Sequence, residues 1–158
     1  MLPFKTPVVA PFIYPRFLWK VKTNQKVIYL TFDDGPIPEL TPWVLDLLDN
    51  YQAKATFFCV GQNVEKNPEI FQRLIRSGHR LGNHTQHHLN GKKTSLEDYL
   101  ADVLATDEAM KKHHVDTPYF RPPYGRLTNA QRKQIIQQKT VVMWDVLSQD
   151  YDQTIDAE

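Results

Sequence analysis

Five short strand-like runs, four of them followed by a polar or charged cluster, constrain this chain more than any other feature. They are Val27–Phe32, Ala55–Val60, Tyr119–Phe120 and Thr140–Val146, whose β-branched and aromatic content reads as strands, and the short segment Arg80–Asn83, which leads straight into the histidines and is counted as the third strand. Amphipathic stretches lie between them. Thr41-Pro42 is a hydroxyl cap followed by proline, opening a helix through Trp43, Val44, Leu47 and Leu48. Asn67-Pro68 repeats the signal ahead of Ile70, Phe71, Leu74 and Ile75, and Gly78 supplies the stop. Ser95 with Asp98 starts a third helix running to about Lys112, and Gln131–Gln138 is a fourth. Strand–helix alternation of this kind predicts an α/β fold with parallel strands. The polar clusters Asp33-Asp34, His84–His88, Arg121 and Asp145–Asp150 all follow strands, and the carboxyl ends of parallel barrel strands converge on one place. Five strands are too few to close a barrel, and the sequence stops at Glu158 without a structural terminator, so an incomplete C-terminus is expected.

With 158 residues, 41% of them hydrophobic, the chain can bury one substantial core. Its 19 basic and 18 acidic residues nearly cancel, leaving no electrostatic footprint for nucleic acid. Cys59 is the sole cysteine and sits in an apolar run; it predicts a core residue, no disulfide-linked partner and no cysteine-based metal site. No stretch approaches the ~20 apolar residues that span a bilayer. Residues 1–23 read as an N-terminal extension ahead of a domain over 24–158. Pro3, Pro7, Pro11 and Pro15 interrupt that extension, so it does not read as a secretory signal. Packing over the domain is expected, with weak membrane-surface contact through Phe12, Ile13, Tyr14, Phe17, Leu18 and Trp19 as the alternative. The compartment is left open.

The chemistry concentrates in two places. His84 and His88, four apart, would share one side of a helical turn. Asp34 adds a carboxylate, and one carboxylate with two imidazoles can hold a divalent ion while leaving coordination positions open. Asp33 stays free to act as general base on a bound water. Thr85 is the expected hydrogen-bonding support for the ligands. Arg121, in Arg121-Pro122-Pro123-Tyr124-Gly125, can hold Asp33 ionised, and the Tyr124 N–H can serve an oxyanion. The bland readings are an Asp-Gly-Pro turn and two solvated histidines. His113 and His114 close a helix and fit its dipole. An iron oxygenase could use the same two-histidine, one-carboxylate set, but the alternating pattern and the free aspartate favour hydrolysis. A two-carboxylate glycosidase fits poorly, because adjacent residues do not flank one bond.

The runs Thr31-Phe32-Asp33-Asp34-Gly35-Pro36, His84-Thr85-Gln86-His87-His88 and Arg121-Pro122-Pro123-Tyr124 resemble, in order, three motifs of the polysaccharide deacetylase family, carbohydrate esterase family 4. The resemblance covers Val27 to about Tyr151. It implies a distorted (β/α) barrel and removal of N-acetyl groups from a GlcNAc-containing glycan of the chitin or peptidoglycan type. The implied cofactor is a divalent metal, chiefly Zn2+, with Co2+ or Ni2+ as alternatives. It also implies that Asp33 is the base, that Asp34, His84 and His88 bind metal, and that Arg121 orients Asp33. The family's fourth motif, Asp-x-x-Asp-Trp, stands here as Leu147-Ser148-Gln149-Asp150-Tyr151, so Asp150 and Tyr151 are carried over as substrate contacts and the preferred sugar is in question. A fifth motif, with a histidine acid, is not reached before Glu158. An acetyl ester on xylan, or a non-catalytic metal- or glycan-binding module, are the alternative readings.

Overall fold

The computed structural model describes residues 5–150, so Tyr151 lies outside the described residues. Five parallel strands, β1 (Thr31–Asp33), β2 (Thr56–Cys59), β3 (Arg80–Asn83), β4 (Tyr119–Phe120) and β5 (Thr140–Val141), lie side by side in chain order. The register pairs Asp33 with Phe58, Cys59 with Asn83, and Asn83 with Phe120. That alignment brings the polar clusters after β1, β3 and β4 to one end of the sheet. Strands that follow chain order with right-handed crossovers place their helices on one face, as in the wall of a barrel.

After α1 (Ala10–Ile13), the helices are α2 (Leu40–Asn50), α3 (Gly61–Lys66), α4 (Pro68–Arg76), α5 (Leu96–Lys111) and α6 (Asn129–Gln138). Two apolar clusters fix α2 to α6. Leu45 and Leu48 of α2, Val64, Phe71, Leu74 and Met110 pack on Phe57, Cys59 and Leu81. Tyr99 and Val103 of α5 and Ile135 of α6 pack on Phe120 and Val141. Burial pushes the Cys59 thiol strongly up, which suits an inert core residue.

Several boundaries differ from the sequence expectation, each for a local reason. β1 begins at Thr31, because Val27, Ile28 and Tyr29 stay exposed and find no neighbouring strand among the described residues. β5 ends at Val141, because the run beyond it turns to the N-terminal segment: Leu18 bridges Val142 in parallel and Lys5 bridges Val146 antiparallel. α2 starts one turn-position before the Thr41 cap, and the Thr41 hydroxyl instead accepts from the Ile37 N–H at 2.8 Å. Asn67 does precede α4, but its amide donates to the Pro36 and Asn63 carbonyls rather than capping. α3 has no counterpart in the periodicity reading, being too short for an amphipathic pattern. Ser95 caps α5 by accepting from the Asp98 N–H, and Gly78, at φ +70°, ends α4.

The N-terminal segment lies along β5. Phe17 and Trp19 pack on the second cluster, Tyr14 stacks on Phe17, and Leu18 carries the bridge. Of the six side chains considered for membrane contact, only Phe12 (81%) and Ile13 (62%) are left strongly exposed. Among the described residues, no helix is long and apolar enough to cross a membrane.

Candidate metal centre and active site

β1 and β3 flank β2 and run parallel to it, so the loops that follow them leave at the same end of the sheet, and there Asp34, His84 and His88 come together. Their ligand atoms all lie within 4.8 Å of one another. Asp34 Oδ1 stands 3.4 Å from His84 Nε2 and 3.2 Å from His88 Nε2. Two atoms bound tetrahedrally at ~2.0–2.1 Å to one ion stand ~3.3–3.4 Å apart, so the spacing fits a shared divalent ion. His84 Nδ1 lies 2.7 Å from the Arg121 carbonyl, a bond it makes by donating, which leaves the Nε2 lone pair directed at Asp34. When Nε2 carries a proton instead, the hydrogen bond His84 donates holds the Asp34 carboxyl below the usual carboxylate range, outweighing the upward pull of burial. Burial draws His88 below the ordinary histidine range, against the opposing pull of Asp34, favouring the neutral form that ligates. Donor types, spacing and protonation all fit a metal of the zinc class.

The histidines do not share a helical turn. Residues 84–88 are an irregular loop in which Thr85 and His88 have positive φ, +65° and +54°. The shared direction of the two imidazoles comes from that backbone, not from a 3.6-residue repeat. Thr85 supports the loop by accepting from the Leu89 N–H at 3.2 Å, one residue beyond His88. Its own N–H donates to Asn83 Oδ1, and Asn83 is fixed in turn by Val103 and by Asp107, which pairs with Lys139. On the other side, the Gly61 and Gln62 N–H groups at the start of α3 donate to the Thr85 and Gln86 carbonyls. Gly61 lets the loop come this close, since a Cβ there would meet Gln86 Oε1 at 1.9 Å.

Asp33 faces a different neighbour. Arg121, 3% exposed, donates through Nη1 to Asp33 Oδ1 and Thr31 Oγ1, both at 2.8 Å. Its Nε and Nη2 reach the Val142 and Met143 carbonyls, and its guanidinium lies over Phe58 with Trp144 nearby. Burial pulls the guanidinium down and Asp33 opposes it; an arginine starts far enough above neutrality to stay charged. Thr31 and the two carbonyls were not foreseen from sequence; an acceptor on the backbone has no residue-type signature.

Tyr124, at φ +58°, lies in the turn after Pro122-Pro123 with its ring 4.7 Å from the His88 ring, so it stands at the rim of the trio. Asp150 occupies an exposed turn and, among the described residues, makes no hydrogen bond or ion pair to the trio. His113 packs on Phe71 and Gln72, on the helix side of the first core cluster.

The family model for polysaccharide deacetylases matches residues 20–144. A peptidoglycan-N-acetylglucosamine deacetylase from Bacillus cereus is 43% identical over 112 residues, 71% of this chain and 53% of that protein. A bifunctional xylanase/deacetylase from Pseudobutyrivibrio xylanivorans is 41% identical over 114 residues, 71% of this chain and 19% of that protein. Among solved structures, the Bc1960 peptidoglycan N-acetylglucosamine deacetylase superposes with a TM-score of 0.80 at 33% identity, covering 88% of this chain and 65% of that one. The chain therefore spans about half the length of the first of these relatives. The matched model, the motif residues gathered at one sheet end and the shared α/β architecture lead to one assignment: the chain belongs to the polysaccharide deacetylase family.

Proposed function

We propose that this protein is a metal-dependent hydrolase that removes N-acetyl groups from a GlcNAc-containing glycan, with Asp34, His84 and His88 holding the ion. The observation that carries the reading is the pair of carboxylates. One carboxylate joins two imidazoles, while its neighbour Asp33 is kept out of that trio by Arg121 at 2.8 Å. A pure binding site has no use for the second acid.

A bound divalent ion would supply polarisation of the acetyl carbonyl and a lowered pKa for the attacking water. This chain's residues do the rest. Asp33, aimed by the guanidinium, takes the proton of the water as its oxygen adds to the acetyl carbon, a contribution typically of about 10²–10⁴-fold. The Tyr124 N–H is assigned to the developing oxyanion. Collapse breaks the C–N bond, acetate leaves, and the amine nitrogen takes up the proton. The exposed ring of Tyr124, and Asp150 with Tyr151 further along the chain, are assigned to the sugar.

The relative named a xylanase/deacetylase keeps acetylated xylan as the alternative substrate. Acetate release from chitin oligomers, peptidoglycan and acetylated xylan, with and without chelator and added Zn2+, decides the matter. Release from the first two, abolished by chelator and restored by Zn2+, is expected. Release from xylan alone would move the assignment to an ester, and glycan binding without any release would make the protein a module.

A further inference from the structure

Asp102 sits in the middle of α5 with its side chain turned inward, 7% exposed. Its Oδ2 accepts from the backbone N–H groups of Gln86 at 2.8 Å and His87 at 3.0 Å, and its Oδ1 lies 2.6 Å from His87 Nδ1. Among the described residues no lysine or arginine pairs with it. A buried carboxylate without a cation is costly unless several donors satisfy it, and here all of those donors belong to the His84–His88 loop. That loop needs holding. Two of its residues sit at positive φ, a conformation that for a non-glycine persists only where the surroundings enforce it.

The grip is two-sided. The first N–H groups of α3 take the Thr85 and Gln86 carbonyls, while Asp102 takes the Gln86 and His87 amides. The two central peptides between the ligand histidines, Thr85–Gln86 and Gln86–His87, are thus each tied to a helix on both sides, while the Thr85 N–H is held by Asn83. We infer that Asp102 is a positioning residue for the metal centre, setting the separation and aim of His84 and His88 through the loop amides, with the His87 ring as its side-chain partner. The inference rests on the reading of Asp34, His84 and His88 as metal ligands. Asp102 touches neither ligand side chain, so it acts through the backbone.

Co2+ absorption titration and Zn2+ competition against a chromophoric chelator, run on the intact protein, test this. The comparison is between wild type, Asp102→Asn, His87→Gln and Asp34→Ala, with thermal unfolding of each metal-free form measured in parallel. Asparagine keeps the volume and one acceptor oxygen but removes the charge, and its NH2 stands where a carboxylate oxygen was, so the loop N–H groups and the His87 ring no longer share an anionic acceptor. Zn2+ affinity is expected to fall about 10–100-fold in Asp102→Asn, with an altered Co2+ spectrum, and to fall less in His87→Gln. In saturating Zn2+, kcat should stay depressed while KM is little changed. Wild-type affinity and spectrum in Asp102→Asn, whatever its melting temperature, would overturn the positioning role while leaving the metal site standing. Absence of binding in wild type, or binding undiminished in Asp34→Ala, would instead remove the metal reading and this inference with it. Should Asp102→Asn fail to fold, His87→Gln decides: unchanged affinity and spectrum there overturn the proposal.

Discussion

Asp33 and Asp34 are neighbours in sequence, yet the fold gives them different company. Asp33 is the last residue of β1 and meets a buried guanidinium whose other donors are spent on Thr31 and two carbonyls. Asp34, at φ +69°, swings away from the strand alternation toward two imidazoles. The first is anchored by the ends of strands, the second faces a loop held by helices. The difference teaches that a carboxylate's role here is set by the backbone that delivers its partners.

The sharpest way to break the contrast is to remove one partner from each side. His84→Ala, or chelation of the wild type, is expected to abolish Co2+ binding and bring deacetylation to background. Asp33→Asn should retain Co2+ affinity while kcat falls by about 10²–10⁴-fold. Loss of metal in Asp33→Asn, checked by the same titration, would mean that the two carboxylates share one task.

Arg121→Lys probes the anchored side alone. Lysine keeps the charge but cannot fork to Asp33, Thr31, Val142 and Met143 together. Leaving buried acceptors unmade costs about 1–3 kcal/mol, and a loss of that size lowers the melting temperature by roughly 2–4 °C per kcal/mol in a chain of this length. Because Asp33 is one-third exposed, water replaces part of its lost contact, so the lower half of that range is expected. Activity should drop with kcat, and metal affinity should not move. A melting temperature equal to wild type would show that the guanidinium is not anchored as described.

Much of this arrangement was legible in the residues. The Asp33-Asp34 pair, the histidine spacing and the strand-end position of each cluster needed only residue type and periodicity, and the register brings three of those clusters to one end. The irregular backbone of the loop was not legible, because His-x-x-x-His fits a helical turn equally well and nothing local marks Thr85 and His88 for positive φ. Asp102 did leave a trace. Tyr99, Asp102, Val103, Thr106 and Met110 form the buried stripe of α5, and an acid recurring on such a stripe announces a satisfied internal carboxylate. Its partner was not readable, since those amides belong to a loop placed by tertiary structure. Likewise the run after Val141 looks like continuous strand, and only the N-terminal segment lying beside it shows why it leaves the sheet.

The smallest expected effect extends the same lesson to two imidazoles. His84 uses Nδ1 to donate to the Arg121 carbonyl, which opens Nε2 to the site; His79 uses Nδ1 to accept from the Ala55 N–H at 3.3 Å and keeps Nε2 buried. Burial, aided by the Lys54 charge, draws His79 below the ordinary histidine value of about 6.5, with Asp49 pulling the other way. The unfolded chain therefore takes up a proton at this position before the folded one does, and protonation would also cost the Ala55 bond. By linkage, the stabilising contribution of neutral His79 is complete above pH ~6.5 and is lost as pH falls toward the lowered folded value. His79→Gln keeps an acceptor for Ala55 without a titrating group. Urea unfolding of the chelator-treated proteins from pH 7.5 to pH 5 should show wild type losing stability relative to His79→Gln on acidification. Parallel curves, or a wild type that gains on the variant as pH falls, would show that His79 is not held neutral, and that its partner does not decide its role.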